Sequence, residues 1–352
     1  MRYLPTSRLT PGMALGQDIY DGAGRLLLGR HILLTEEQIS NLEFLGFPGA
    51  YVDDEFSRGI EIQQIVSPEV RRQALKIVYD LFHMDMRKQE PSEAELKLRK
   101  TVESVVDDVI CNGDIMCNIM DIKSYDDYIY YHSIHVGILS VVVGARLGLS
   151  HDKLCQLAAA ALLHDIGKRF IDHDIVRGGK AHRSEKEQEV YRSHPKIGAE
   201  YLRETCRFSA DVYEGIMEHH ECYNGEGYPL GKKGGGIHLF ARIIRIADCY
   251  DAKVSAFPAQ KSLSPSEALE YVMALGDRWF DPDIVAVFAR KVAAYPIGCE
   301  VELSNGQHAV VARNFENFPL RPLVRVVETG EMLNMRDDEK ARAVTVGRLI
   351  VR

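Results

Sequence analysis

The sequence predicts a mainly α-helical protein: an all-helical domain over residues 59–294, a small α+β module before it (1–58) and a small β module after it (295–352). Three observations carry this. Apolar residues recur with a helical period through the middle of the chain. Helix-start signals recur there too, at Ser67-Pro68, Ser92-x-x-Glu95, Ser150 and Ser264-x-x-Glu267. Short apolar runs joined by tight turns are confined to the two ends. A length of 352 residues fits two or three domains with ample chain to bury a core.

The elements follow in order. Ile19-Tyr20 and Leu26-Leu27-Leu28 flank Asp21-Gly22-Ala23-Gly24, a hairpin signal. Thr35-Glu36-Glu37-Gln38 is a capping box opening a helix that stops at Gly46, and Ala50-Tyr51-Val52 reads as a strand. The helical middle ends near Ala294. After Tyr295-Pro296, Val301-Glu302-Leu303 and Ala309-Val310-Val311 are strands around an Asn305-Gly306 turn, in a small barrel or sheet.

Composition narrows the function. The chain is 46% hydrophobic and 27% charged, which excludes disorder and low-complexity scaffolds. A net charge of −8 argues against a nucleic-acid footprint, so neither DNA nor RNA is an expected partner. No apolar run approaches the roughly 18 to 20 residues of a membrane span, and the start lacks a signal peptide's apolar stretch; the expectation is a cytoplasmic protein without membrane insertion. Seven scattered cysteines without a C-x-x-C pair indicate neither disulfides nor a zinc ribbon.

Histidine placement points to chemistry. Nine of the 13 histidines fall between 132 and 220, several in apolar stretches: Ala158 to Leu163 run into His164-Asp165-Ile166-Gly167-Lys168, and Ile216-Met217 precede His219-His220. Buried imidazoles and carboxylates need partners, and a metal supplies them. On a continuing helix His164 and Asp165 project about 100° apart, so the imidazole faces one ion while the carboxylate bridges to a second. Lys168, four residues from His164, falls on the same face, where an ammonium meets phosphate charge. With His132, His194 and Asp248 the inventory is five histidines and two aspartates. This nitrogen-rich mixture suits Fe, Mn, Zn or Ni. Two such ions roughly 3.5 to 4 Å apart lower the pKa of a bridging water and clamp an in-line displacement at phosphorus, so phosphoester hydrolysis is expected. His135 reads as a core or helix-surface histidine, with a role behind His132 as the sharper alternative. His151 reads as an exposed first-turn residue, and His173 and His182 as solvated or lid residues. Tyr125, Tyr128, Tyr130 and Tyr131 read as helix packing, and Trp279 as core.

Residues 125–290 resemble the HD-GYP domain of the HD phosphohydrolase superfamily. The matching motifs are His132-Ser133, His164-Asp165-Ile166-Gly167-Lys168, His194-Pro195-x-x-Gly198, His219-His220-Glu221, Gly225-x-Gly227-Tyr228-Pro229, Asp248 and Phe280-Asp281-Pro282. The flanks resemble modules found beside this domain, through Leu9-Thr10-Pro11-Gly12-Met13 and Tyr295-Pro296-Ile297-Gly298. The resemblance implies an all-helical HD-type domain that hydrolyses cyclic di-GMP to pGpG, to GMP or to both, through a metal-bridging hydroxide. It implies two divalent transition-metal ions, iron or manganese. One would be held by His132, His164, Asp165 and Asp248, the other by Asp165, His194, His219 and His220. Asp165 and Lys168 would be catalytic, with Lys168 on the scissile phosphate and Gly225, Gly227, Tyr228 and Pro229 shaping the substrate-binding lip. Tyr128 stands where some relatives carry a Glu for a third ion.

The chain departs from the family where a phosphate-gripping Arg and a later basic residue are usual: it has Phe257 and Gln260, with Ala259 between them. Lys253, Lys261 and the basic 177–186 segment are candidate substitutes. The alternatives are therefore a catalytically weak protein that binds a nucleotide signal or acts as an interaction module, or a hydrolase of another cyclic dinucleotide. Besides the cyclic dinucleotide, a homodimer and a signalling-protein partner are compatible with the sequence.

Overall fold

In the computed structural model, which describes residues 1–85, 91–118, 127–178, 183–255 and 262–350, the chain starts as a strand. β1 (Arg2–Pro5), β2 (Ala14–Leu15), β3 (Ile19–Tyr20), β4 (Leu26–Leu28), α1 (Glu36–Phe44) and β5 (Gly49–Asp53) form the N-terminal module. β5 lies between β1 and β2, antiparallel to both, and β3 and β4 form the expected hairpin. The capping box is present: Gln38 N donates to Thr35 Oγ1 (3.2 Å) and Thr35 N to Gln38 Oε1 (3.0 Å).

The helical middle contains α2 (Pro68–His83), α3 (Pro91–Cys111), α4 (Tyr128–Arg146), α5 (His151–Leu163), α6 (His173–Arg177), α7 (Glu185–Arg192), α8 (His194–Thr205), α9 (Ala210–Met217), α10 (Leu239–Val254), α11 (Pro265–Ala274) and α12 (Pro282–Lys291). α4 is the hub, with α2, α3, α5, α10 and α12 packed around it. Its sequence explains the place: from Tyr131 to Gly144 every residue is buried, because a helix apolar on all faces can only be satisfied at the centre. α4 also has the length and hydropathy of a membrane span, which run-by-run reading passed over. Since 78% of its most apolar window is enclosed by this fold, those features are accounted for by the core.

β6 (Glu300–Leu303), β7 (His308–Arg313), β8 (Leu323–Val326), β9 (Met332–Asn334) and β10 (Val346–Ile350) form an antiparallel C-terminal sheet in the order β10-β6-β7-β8-β9. It meets the N-terminal module directly. Tyr3, Tyr51 and Cys299 share a buried cluster, and Arg2 and Arg8 both reach Glu300, at 3.3 and 3.0 Å. The N-terminal module also touches α4, where Tyr131 Oη donates to the carbonyl of Tyr20 (2.7 Å).

Three local expectations are corrected. α3 already begins at Pro91, one residue before the expected start at Ser92. Ser67 stands at the N-cap of α2 and Pro68 opens the helix as expected, but the Ser67 hydroxyl donates to Asp108 on α3 (2.8 Å) rather than to the helix. α5 stops at Leu163, and Ile166–Phe170 form a tighter 3-10 turn, so His164 and Lys168 do not share one helical face.

Candidate metal centre

Four structural junctions bring the histidines together. His132 projects from α4, His164 and Asp165 from the break after α5, His194 from the start of α8, and His219 and His220 from the turn after α9; Asp248 comes from α10. All are buried except His220, which is largely covered. Among the described residues, donor atoms of Asp165, His194, His219 and His220 lie within 4.8 Å of one another, as do those of His132, His164 and Asp165. Asp165 belongs to both groups. Asp248 adjoins the second, its Oδ1 3.2 Å from His132 Nε2.

The local backbone decides which ring nitrogen faces inward. His164 Nδ1 donates to Ala161 O (2.7 Å), His194 Nδ1 to Tyr191 O (2.6 Å) and His219 Nδ1 to Ile216 O (2.6 Å). Each bond returns three residues along the chain, to a carbonyl at a helix end. With the proton fixed on Nδ1, each Nε2 presents a lone pair to the centre. His132 is oriented in the same sense by a carboxylate: its Nδ1 donates to Asp251 Oδ2 (2.7 Å), which leaves Nε2 as the nitrogen facing the centre.

Electrostatics agree with a cation-binding cavity. Burial, reinforced by the neighbouring rings, pushes His219 and His220 well below the ordinary imidazole range, and burial lowers His164. Burial opposes the charge of Asp165, yet the Lys168 ammonium and the His164 and His194 rings hold its carboxyl well below the usual range. His132 behaves oppositely: burial works against its charge, but Asp248 and Asp251 raise it to about 9. Three atoms of the centre, His164 Nε2, Asp165 Oδ1 and His220 Nε2, are buried without a hydrogen-bond partner in the protein. Buried polar atoms without partners are costly, and a divalent metal among these nitrogen and carboxylate donors fits them. The cluster is suited to divalent metal binding.

The other expected residues fall as follows. Lys168 Nζ is paired with Asp165 Oδ2 rather than extended from the histidine face. Tyr228 stacks on His220 (ring centroids 4.8 Å apart), at the rim. The Gly225–Pro229 loop is clamped from behind by Glu221, whose carboxylate accepts the N–H groups of Leu230 (2.6 Å), Gly231 (3.1 Å) and Lys232 (3.1 Å). Replacing Glu221 with Ala strands these donors, at a local cost of about 1 to 3 kcal/mol. Amide exchange over residues 225–233 should then accelerate while α4 is unchanged, with Glu221→Gln intermediate. Arg183, read as a phosphate-facing candidate, is spent on the carbonyls of Ile175 and Val176 and lies over the Tyr191 ring. Lys253 lies over Tyr271. His151 is exposed as expected, and Trp279 packs against the main core. Phe257, Ala259, Gln260, Lys261, Lys180, His182 and Tyr125 lie outside the described residues.

Two side chains, Asp251 and Tyr128, have roles that sequence reasoning missed, and His135 takes the role behind His132 that was kept as its alternative. Asp251 orients His132; its only signal was a carboxylate three residues after Asp248 in an apolar helix. His135 is no bystander: it is 2% exposed and its Nδ1 donates to Asp251 Oδ1 (2.8 Å). Tyr128, read as packing, stacks on the His132 ring (5.2 Å between centroids, 13° between planes).

Residues 118–284 match the HD domain family. The chain is 32% identical over 226 residues to a cyclic di-GMP phosphodiesterase of Pseudomonas aeruginosa, covering 64% of this chain and 54% of that protein. It is 39% identical over 151 residues to a cyclic di-GMP phosphodiesterase response regulator of Xanthomonas campestris, covering 42% and 39%. A 3'3'-cGAMP-specific phosphodiesterase of Vibrio cholerae is 32% identical over 165 residues, covering 47% and 37%. The chain thus spans about half or less of the length of these relatives. Among solved structures, an HDG"Y"P protein from Bdellovibrio bacteriovorus shares the fold, with a TM-score of 0.51 at 18% identity over 82% of this chain and 97% of that one.

Proposed function

We propose that this chain is an HD-GYP-type member of the HD domain family and a metal-dependent phosphodiesterase hydrolysing cyclic di-GMP to pGpG, to GMP or to both. The observation that carries the reading is the buried, nitrogen-rich donor set around Asp165 with its unpartnered ring nitrogens and carboxylate oxygen. His132, His164, Asp165 and Asp248 would hold one divalent ion, and Asp165, His194, His219 and His220 a second; the donors suit Fe, Mn, Zn or Ni, of which the family resemblance favours iron or manganese. Bound ions would supply Lewis acidity at a phosphoryl oxygen and a lowered pKa for water.

The chain's own residues do the rest. The Nδ1–H bonds to backbone carbonyls hold the His164, His194 and His219 rings in one orientation, so no reorganisation is needed when substrate arrives. Asp165 stays ionised and contributes an oxygen to each donor group. Burial opposes the charge on Lys168 while Asp165 raises its pKa, so it remains a fixed ammonium that stabilises phosphate charge rather than an acid. Hydrolysis adds water across one P–O bond and releases a ribose hydroxyl. Tyr228, stacked on His220, and the Gly225–Pro229 loop form the lip over which the dinucleotide enters.

The 3'3'-cGAMP-specific relative favours a second reading, the same chemistry on another cyclic dinucleotide. Turnover by anaerobically prepared protein loaded with iron(II) or manganese(II), with products separated chromatographically, tests both. Release of pGpG or GMP from cyclic di-GMP is the expected result. Preferential consumption of 3'3'-cGAMP would move the assignment to the second reading, and a metal-loaded protein that consumes neither would overturn the hydrolase assignment.

A further inference from the structure

The hydrogen bonds behind His132 do not stop at Asp251. Asp251 is fully buried and divides its carboxylate, Oδ2 accepting from His132 Nδ1 (2.7 Å) and Oδ1 from His135 Nδ1 (2.8 Å). The far nitrogen of His135, Nε2, is bonded to Arg71 Nη2 on α2. A guanidinium can only donate, so His135 Nε2 must be the acceptor and its proton must lie on Nδ1, aimed at Asp251. Every polarity in the chain is then determined, from Arg71 to His135 to Asp251, with His132 donating from the other side.

We propose that Arg71 and His135 are positioning residues for the metal centre, holding Asp251 so that His132 keeps its proton on Nδ1 and its Nε2 lone pair toward the metal. The inference rests on the metal-centre reading above. Arg71 lies outside residues 118–284, the span that matches the HD domain, so a ligand of that domain is oriented by a helix that precedes it. α4 itself touches the N-terminal hairpin one residue before His132, through Tyr131 and Tyr20. The placement of α2 against α4 therefore enters the metal affinity. Asp251 Oδ2 also accepts from Ser255 Oγ (3.4 Å), so the network reaches the end of α10 as well.

Two measurements on the full chain test this. With selectively ¹⁵N-labelled histidine and zinc(II) bound, long-range proton–nitrogen spectra report which nitrogen of each ring carries the proton. His132 and His135 should both be in the Nδ1–H form, and a proton on Nε2 of either would overturn the relay. Manganese(II) affinity by equilibrium dialysis is the second. Arg71→Met and His135→Leu should weaken it by about tenfold, the low end for loss of a group that orients a metal ligand. Arg71→Lys and His135→Gln keep a donor, or a donor and an acceptor, at these places, and should stay within about threefold of the original protein. Folded Met and Leu variants with unaltered affinity would refute the proposal. If either fails to fold, the tautomers in the unsubstituted protein and the contrast between the remaining variant and its conservative partner decide it. Absence of manganese binding in the unsubstituted protein would remove the metal-centre reading too, whereas a wrong tautomer in a metal-binding protein would remove only the relay.

Discussion

Replacing Asp165 with Ala should reduce turnover about a thousandfold or more, equivalent to at least about 4 kcal/mol in the barrier, and should lower the metal content of the purified protein. The size of the effect follows from the residue's position. Its Oδ1 is 3.2 Å from His194 Nε2 and 3.9 Å from His219 Nε2, while its Oδ2 is 3.4 Å from His164 Nε2 and 3.8 Å from His132 Nε2. Other donors belong to one group, so their loss leaves the second intact. Loss of Asp165 removes negative charge from both and strands the Lys168 ammonium, which is only 11% exposed, without its counter-ion. Breaking a buried pair in this way costs about 3 to 5 kcal/mol of stability. Asp165→Asn separates the two consequences, because it keeps the volume while removing the charge. Metal analysis and turnover on both variants check the result, and full activity in either would refute the role given to Asp165.

Gly167→Ala should be nearly as damaging, although glycine brings no chemistry. A Cβ at 167 would lie 2.0 Å from the carbonyl oxygen of His194 and 2.8 Å from the amide nitrogen of Gly198. Both obstacles are backbone, so no rotamer change relieves the clash. The 3-10 turn carrying Asp165 and Lys168 would have to move away from the first turn of α8, which carries His194. Overpacking of this kind costs about 1 to 3 kcal/mol, and the backbone clash puts this site at or above the upper end. The melting temperature should fall, and His194 should separate from Asp165 with loss of metal affinity. Thermal unfolding and metal titration of the same variant check both. Gly227, in the rim loop, is constrained similarly, since a Cβ there would meet Cys222 N at 2.2 Å and Glu221 Cα at 2.4 Å.

The legible parts of this protein are those written in local order. The helical period marked the helical middle, and cap signals placed the starts of α1, α2, α5 and α11 and, to within a residue, of α3. The Asp-Gly and Asn-Gly turns marked hairpins at both ends. The seven candidate donors could be named because a histidine or aspartate in an apolar stretch is expected to be buried beside a partner, and the fold buries or largely covers all seven. Where local reading failed, the failures share a cause. A continuous helix through His164 and Lys168 ignores the break after Leu163, beyond which Gly167 lies against the backbone of α8. The Ser67 hydroxyl does not cap α2 because Asp108, 41 residues away, takes it.

What the sequence determined by itself was the mainly helical fold class and the inventory of donors, since periodicity and residue chemistry are properties of neighbours along the chain. What only the tertiary structure decided was the direction in which each donor acts. Three ring protons are set by carbonyls at helix ends, a fourth by Asp251, and Asp251 in turn by a histidine and an arginine from two other helices. Hydrogen bonds are short-ranged and directional. The groups that orient a buried imidazole are therefore chosen by which helices pack against it, and residues such as Arg71 and His132 become neighbours only when the fold has closed.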